Sequence, residues 1–246
     1  MAGFSSVETS YHELAAYYDL LINDEAAQER YLSFTKQHAQ GKEVLELACG
    51  SGTLAAMLQQ SCDVHIQASD LSSDMIEVAK ETYADLPIEF SCMDMCELEA
   101  KNEFDTVLCF CDSLNYVVEL ERIQQLFERV YDALKVGGVF LFDSHSVTRL
   151  EEFKHGYDEN YVLDELEYTW HIISEGEFIY QTLRVWDDSV VPTYYFEEKH
   201  TQRVYDPVDL IRMLENVGFR VQVKTDFDKD GIQEGEKQFY ICLKEE

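Results

Sequence analysis

The chain is poor in the residues that divide or break a fold. Three prolines and eleven glycines in 246 residues leave no Pro/Gly-rich linker, repeat or low-complexity tract. No apolar run reaches the ~18 residues of a membrane-spanning helix, and the opening MAGFSSVETSYHE lacks the basic flank and apolar stretch of a secretory signal. Basic residues are scarce: 19 Lys and Arg against 49 Asp and Glu give a formal charge of −30. Phosphate backbones and anionic membrane surfaces need a basic footprint, so neither a nucleic-acid nor a membrane partner is expected. No C-x-x-C occurs. The seven cysteines (49, 62, 92, 96, 109, 111 and 242) are odd in number and mostly lie in apolar, strand-like runs. They read as buried, reduced thiols of a cytoplasmic protein rather than a disulfide framework or a metal site.

What is present is an ordinary globular composition, 46 % apolar and 28 % charged, which excludes disorder. A chain of this length can bury roughly three-quarters of its unfolded surface in one domain, and 1–246 reads as such a unit. Within the N-terminal part, 1–40, two helices are expected, YHELAAYYDLLI and Glu25–His38. Between 41 and 147 strands and helices alternate. The strands are EVLELA (43–48), DVHIQAS (63–69), Ile88–Cys92, FDTVLCFC (104–111) and VFLFDS (139–144). The helix before the fifth strand carries Leu120, Ile123, Phe127, Val130 and Leu134 at helical spacing. Continuous apolar strands alternating with helices mean an α/β fold with a doubly wound, mostly parallel sheet.

From 148 to 204 the pattern becomes an antiparallel β insertion, read as three strands between 161 and 205. One face collects Tyr168, Trp170, Ile172, Phe178, Tyr180, Trp186, Tyr194, Phe196 and His200. It is too aromatic to leave in water and is expected to wall the mouth of a site, with a homodimer interface as the alternative. The remainder, 205–246, reads as a helix capped by Asp206 and Pro207, then a closing hairpin.

The strongest local signal is Glu46-Leu47-Ala48-Cys49-Gly50-Ser51-Gly52, directly after a strand and opening a helix. Glycines let backbone approach a ligand, and the helix N-terminus offers free N–H groups. Asp70, eighteen residues past Gly52 at the end of the next strand, is placed to accept both hydroxyls of an adenosine ribose. Reading GSGTLA as G-x-G-x-x-A would suit a dinucleotide, but Glu46 would then face pyrophosphate charge. S-adenosylmethionine (SAM) carries an ammonium and no phosphate, which makes the same acid an asset. Asp70 as a helix cap and Asp94 as a plain turn residue are the structural alternatives.

In these motifs the chain resembles the class I SAM-dependent methyltransferases, most closely the small bacterial ones grouped with glycine and amino-sugar N-methyltransferases. ELACGSG is similar to the family's first motif, with Ala48 where a glycine is commoner, and Asp70 matches the ribose-binding acid. Met93-Asp94-Met95 matches the segment bracketing the adenine, and FDTVLCFCDSLNY the fourth strand and its loop. The spacing Y-x-x-L-A-x-x-Y-D-x-L (Tyr11, Tyr18, Asp19) and the late E-x-H-x-x-R-x-Y (Glu198, His200, Arg203, Tyr205) extend the likeness over nearly the whole chain.

The resemblance implies a Rossmann-like, seven-stranded sheet and SAM as cofactor. It implies cofactor contacts from Tyr11, Tyr18, Glu46, Ala48, Gly50, Gly52, Asp70, Asp94, Met95 and Cys111. Asn115, Tyr116 and His200 are the candidates for the substrate, and Tyr116, His200 and Asp112 for a proton-accepting role. The expected reaction is in-line methyl transfer to a small amine or hydroxyl acceptor. A SAM-binding sensor without catalysis, a nicotinamide oxidoreductase and a macromolecular methyltransferase are the competing readings. His12, His38, His65, His155 and His171 belong to no constellation.

Overall fold

The computed structural model describes Tyr11, 13–21 and 24–245, with the Asp19 side chain left out. The opening segment 1–10, His12 and the Asp19 carboxylate of the N-terminal motif therefore lie outside the described residues.

The first sheet contains β1 (Glu43–Leu47), β2 (His65–Asp70), β3 (Ile88–Cys92), β4 (Phe104–Cys109) and β5 (Leu134–His145), all parallel. It is completed by β10 (Phe219–Thr225), β11 (Lys229–Asp230) and β12 (Lys237–Lys244), which run antiparallel. The order is β11-β10-β12-β5-β4-β1-β2-β3. Seven strands were expected, and the two-residue edge strand β11 makes an eighth. The order reverses between β1 and β4, and in doubly wound sheets ligands bind outside the strands' carboxyl ends at that reversal.

Alternation along each strand divides the core. Leu45, Leu47, Phe140 and Phe142 face α5 (Leu120–Ala133) and α7 (Pro207–Val217), meeting Ile123, Phe127, Val130, Leu210 and Leu214. Val44, Leu108, Val139 and Leu141 face α2 (Glu25–His38) and α3 (Thr53–Ser61), meeting Tyr31, Phe34, Leu54 and Leu58. The sheet is thus covered on both sides. Among the described residues no helix is long and apolar enough to cross a membrane, and no cluster of His, Cys, Asp or Glu is placed to hold a metal. Cys92 and Cys111 are exposed, unlike the buried thiols expected there.

The insertion is a separate four-stranded antiparallel sheet of β6 (Tyr157–Leu163), β7 (Leu166–Glu175), β8 (Phe178–Asp187) and β9 (Tyr194–Arg203). The additional strand is β6, exposed along most of its length. Its register corrects the expected face. Tyr168, Trp170 and Ile172 stand opposite Val185, Leu183 and Gln181, which stand opposite Phe196, Glu198 and His200. Phe178, Tyr180 and Trp186 therefore share the other face with Arg184, away from the site.

The inner face packs against the chain's own N-terminal arm. Leu14, fully buried, packs with Leu166, Tyr168, Leu183, Val185 and Phe196. The arm is not the single helix expected over 11–22. It is a 3-10 turn, Leu14–Ala16, followed by the one-turn α1 (Tyr18–Leu21). Glu198 fastens the arm to β9: its carboxylate accepts from Tyr11 N (2.9 Å), Glu13 N (3.1 Å) and Leu14 N (2.8 Å). These donors would be free at the first turn of any helix. Glu198→Ala is expected to cost about 2 kcal/mol and to speed chymotryptic cleavage at Tyr17 and Tyr18. An unchanged cleavage rate would mean that Leu14 packing alone holds the arm.

Candidate active site

The turn after β1 is built from left-handed backbone: Ala48 at φ 53°, Gly50 at φ 54° and Gly52 at φ 82°. The two glycines do different things. A Cβ on Gly50 would meet nothing within 4 Å, so its backbone opens onto a cleft. A Cβ on Gly52 would come within 2.8 Å of the Phe90 ring, so Gly52 allows packing beneath the turn and does not line the cleft. Ala48 lines the cleft and carries a Cβ in a conformation that costs an L-residue about 1–2 kcal/mol.

Asp70 holds this turn in place. Its Oδ2 accepts from Gly50 N at 2.8 Å and its Oδ1 from Ser72 N at 2.9 Å. The cap of α4 (Ser73–Thr82) is Ser72 instead, whose Oγ accepts from Met75 N. A carboxylate has about four acceptor sites, so the two Asp70 oxygens keep acceptor capacity for a donor arriving from the cleft, which Asp70 lines. Glu46, 5 % exposed, also lines the cleft, and its Oε2 has no partner. Burial, helped by the Asp70 charge, pushes the Glu46 carboxyl up to about 8. A buried acceptor of this kind calls for a cationic donor. With the open Gly50 backbone and the Asp70 lone pairs, it fits the ammonium, methionine and ribose portions of SAM.

Farther along, Asp94 and Met95 form the cleft wall with Arg122. Asp94 Oδ1 accepts from Cys96 N, and Oδ2 pairs with Arg122 Nη2 at 2.5 Å. Asp94 is therefore both a turn residue and a wall residue.

A second chamber adjoins the first. They share a wall of Tyr11, Tyr18, Gln28, Cys111 and Tyr116. The Tyr11 and Tyr116 hydroxyls are 2.6 Å apart, and His200 lies with its ring centroid 4.8 Å from that of Tyr11. Burial lowers the His200 imidazole to about 4, so it is neutral at ordinary pH, and burial raises the Tyr116 phenol. Burial thus disfavours the imidazolium of His200 and the phenolate of Tyr116.

Asp112, also in the left-handed region at φ 58°, lines this chamber. Burial opposes its charge, but Lys237 Nζ at 2.8 Å from Oδ2 and the neighbouring His145 hold it below the usual carboxylate range. Asn115, expected to touch substrate, is fully buried and lines neither space. Its Nδ2 donates to Ser144 Oγ and Arg203 O, and its Oδ1 accepts from His145 N. It ties the loop after β4 to β5 and β9. The residues not foreseen are Gln28, Arg122, His145, Gln181, Gln202 and Lys237. Of these only His145 carried a signal, since it ends a parallel strand at the carboxyl side.

A methyltransferase-domain family model matches residues 44–138, the part carrying the cofactor turn. A protein of Geobacillus sp. (strain WCH70) described as a methyltransferase is 31 % identical over 250 residues, covering 96 % of this chain and 100 % of that one. The crystal structure of a SAM-dependent methyltransferase from Clostridium acetobutylicum ATCC 824 superimposes with a TM-score of 0.83 at 25 % identity, over 96 % of this chain and 99 % of that one. A sugar N-methyltransferase from Streptoalloteichus sp. ATCC 53650 shares the fold, with a TM-score of 0.76 at 16 % identity over 100 % and 97 %. Full-length likeness in sequence and fold, together with a cleft shaped for a sulfonium nucleoside, leaves one reading: the chain is a class I SAM-dependent methyltransferase.

Proposed function

We propose that the two chambers divide the reaction, with SAM in the cleft beneath Gly50 and a small-molecule acceptor, an amine or a hydroxyl, in the second chamber. Glu46, Gly50 and Asp70 hold the cofactor's amino-acid and ribose portions, and Asp94 and Met95 border its base. SAM supplies a methyl group on a sulfonium. The chain's residues align the acceptor with it and exclude water, and such alignment can contribute ~7–11 kcal/mol. The observation that carries the small-molecule reading is the lining of the second chamber. It runs along the inner face of the insertion and the arm, reaching Leu14, Trp170, Ile172 and Leu183, a largely apolar recess with a few polar groups of the kind that suits a small acceptor. The sugar N-methyltransferase of like fold is consistent with this acceptor class.

The test is methyl transfer from labelled SAM to a panel of amines, sugars and phenols, run beside total tRNA and a protein extract. Label in at least one small acceptor is the expected result. Label confined to the tRNA or protein fractions would overturn the reading.

A further inference from the structure

One end of the cofactor cleft is assembled from two segments separated in the chain. The first is the 3-10 turn Met95–Glu97 after β3, with Asp94 as its cap. The second runs from Val117 through Glu119 into the first turn of α5. Both line the cleft, and Arg122 joins them at the lining itself, with Nη2 2.5 Å from Asp94 Oδ2. Another tie between the segments, Gln125 Nε2 to Glu97 Oε1 at 3.4 Å, is made by residues outside the lining.

Arg122 stands where its own helix does not favour it. It is the third residue of α5, and the positive end of a helix dipole opposes a cation in the first turn. The Asp94 carboxylate offsets that opposition. Asp94 is in turn fixed at both oxygens, because Oδ1 accepts from Cys96 N at 2.9 Å and Oδ2 from Arg122. The Arg122 and Asp94 side chains remain 41 % and 31 % exposed, so a molecule in the cleft can reach the pair. A carboxylate paired with a guanidinium accepts and does not donate. Held in one orientation, it favours an amine on the edge of a base and disfavours a carbonyl at the same place.

We propose that Arg122 is a specificity-determining positioning residue for the cofactor: by fixing the Asp94 carboxylate it makes the cleft select adenine, with its exocyclic amine, over hypoxanthine, which carries a carbonyl in that position. The proposal rests on the reading that Asp94 borders the base. Arg122 acts through Asp94. Without the guanidinium the carboxylate keeps only the Cys96 bond at Oδ1, turns about its last torsion and takes water at Oδ2, so the amine loses a fixed partner. A lysine would restore the charge as a single point contact in place of a planar fork.

The experiment uses the full chain and two stable ligands that differ only in the base, S-adenosylhomocysteine and S-inosylhomocysteine, with binding followed by calorimetry. The wild type should prefer the adenine compound at least about tenfold. Arg122→Met should cut that preference at least about fivefold, and Arg122→Lys should fall between the two. Asp94→Ala should also lose the preference, and adding Arg122→Met to it should change the ratio no further, as expected for a residue that acts through another. The preference is a ratio measured within one protein, so a smaller folded fraction in a variant does not mimic the effect. A ratio in Arg122→Met within about twofold of wild type, or a further loss in the Asp94→Ala background, would overturn the role of Arg122. The readings separate cleanly. No binding of S-adenosylhomocysteine counts against the cofactor cleft, and equal binding of both ligands by the wild type counts against Asp94 at the base. A preference lost in Asp94→Ala and kept in Arg122→Met counts against Arg122 alone.

Discussion

Asp70→Ala is expected to weaken SAM binding by about 30- to 1000-fold, which is ~2–4 kcal/mol. The loss combines two effects. Both carboxylate oxygens lose the ribose hydroxyls, and the Gly50 and Ser72 N–H groups lose their anchor. Unfolding of the SAM-free protein measures the second effect by itself, because it reports the tethering of the turn. If Asp70→Ala binds SAM within about twofold of wild type, the ribose is not held at this carboxylate.

Glu46→Gln should have opposite effects on stability and on binding. In the folded, SAM-free protein the Glu46 carboxyl titrates at about 8, against an ordinary value of 4.5. Below the ordinary value both folded and unfolded chains are protonated, and the group costs nothing. As pH rises the unfolded chain ionises first, so the native state loses stability progressively until about pH 8. Glutamine cannot ionise. The variant should therefore gain on the order of 3 kcal/mol near neutral pH and little in acid. An ammonium seated against Glu46 draws its proton off, so wild-type affinity for SAM should rise with pH up to about 8 and binding should release a proton. The variant should bind at least about tenfold more weakly at the upper end, with no pH slope. Urea melts at two pH values and calorimetry in buffers of different ionisation enthalpy read both effects. A stability gain that is the same at both pH values would show that Glu46 does not titrate in this range.

The cofactor half of the molecule could be read from sequence because its signals are local. An acid, two glycines and a second acid are spaced along one strand–turn–strand unit, and the five parallel strands are apolar enough to be seen singly. Even there, Gly50 and Gly52 look equivalent in sequence, and only packing against Phe90 separates them. The second chamber depends on contacts distant in sequence. FIYQTLRVWD has apolar residues in both phases, Phe178, Tyr180 and Trp186 against Ile179, Leu183 and Val185. The aromatics suggested one phase, but pairing with β7 and β9 imposes the other, and Arg184 among the outward residues was the overlooked cue. Asn115 has the polarity of a ligand contact and spends it on three protein groups. His145 meets Asp112, 33 residues earlier, and Gln202, 57 residues later, contacts that leave no local signal in the sequence.

The two chambers also differ in where along the chain they are encoded. The cofactor cleft lies largely within 44–138, the span common to a broad methyltransferase domain. The second chamber draws Tyr11 and Tyr18 from one end, Lys237 from the other, and Gln181, His200 and Gln202 from the insertion. Glu198 fastens the first of these contributions and Lys237 supplies the last. During synthesis the turn at Gly50 can therefore form while the second chamber waits for the final hairpin. On the proposed division of the reaction, the same separation gives the molecule an evolutionary degree of freedom: substitutions in the arm, insertion and hairpin would reshape the second chamber while the strands around the first stay as they are.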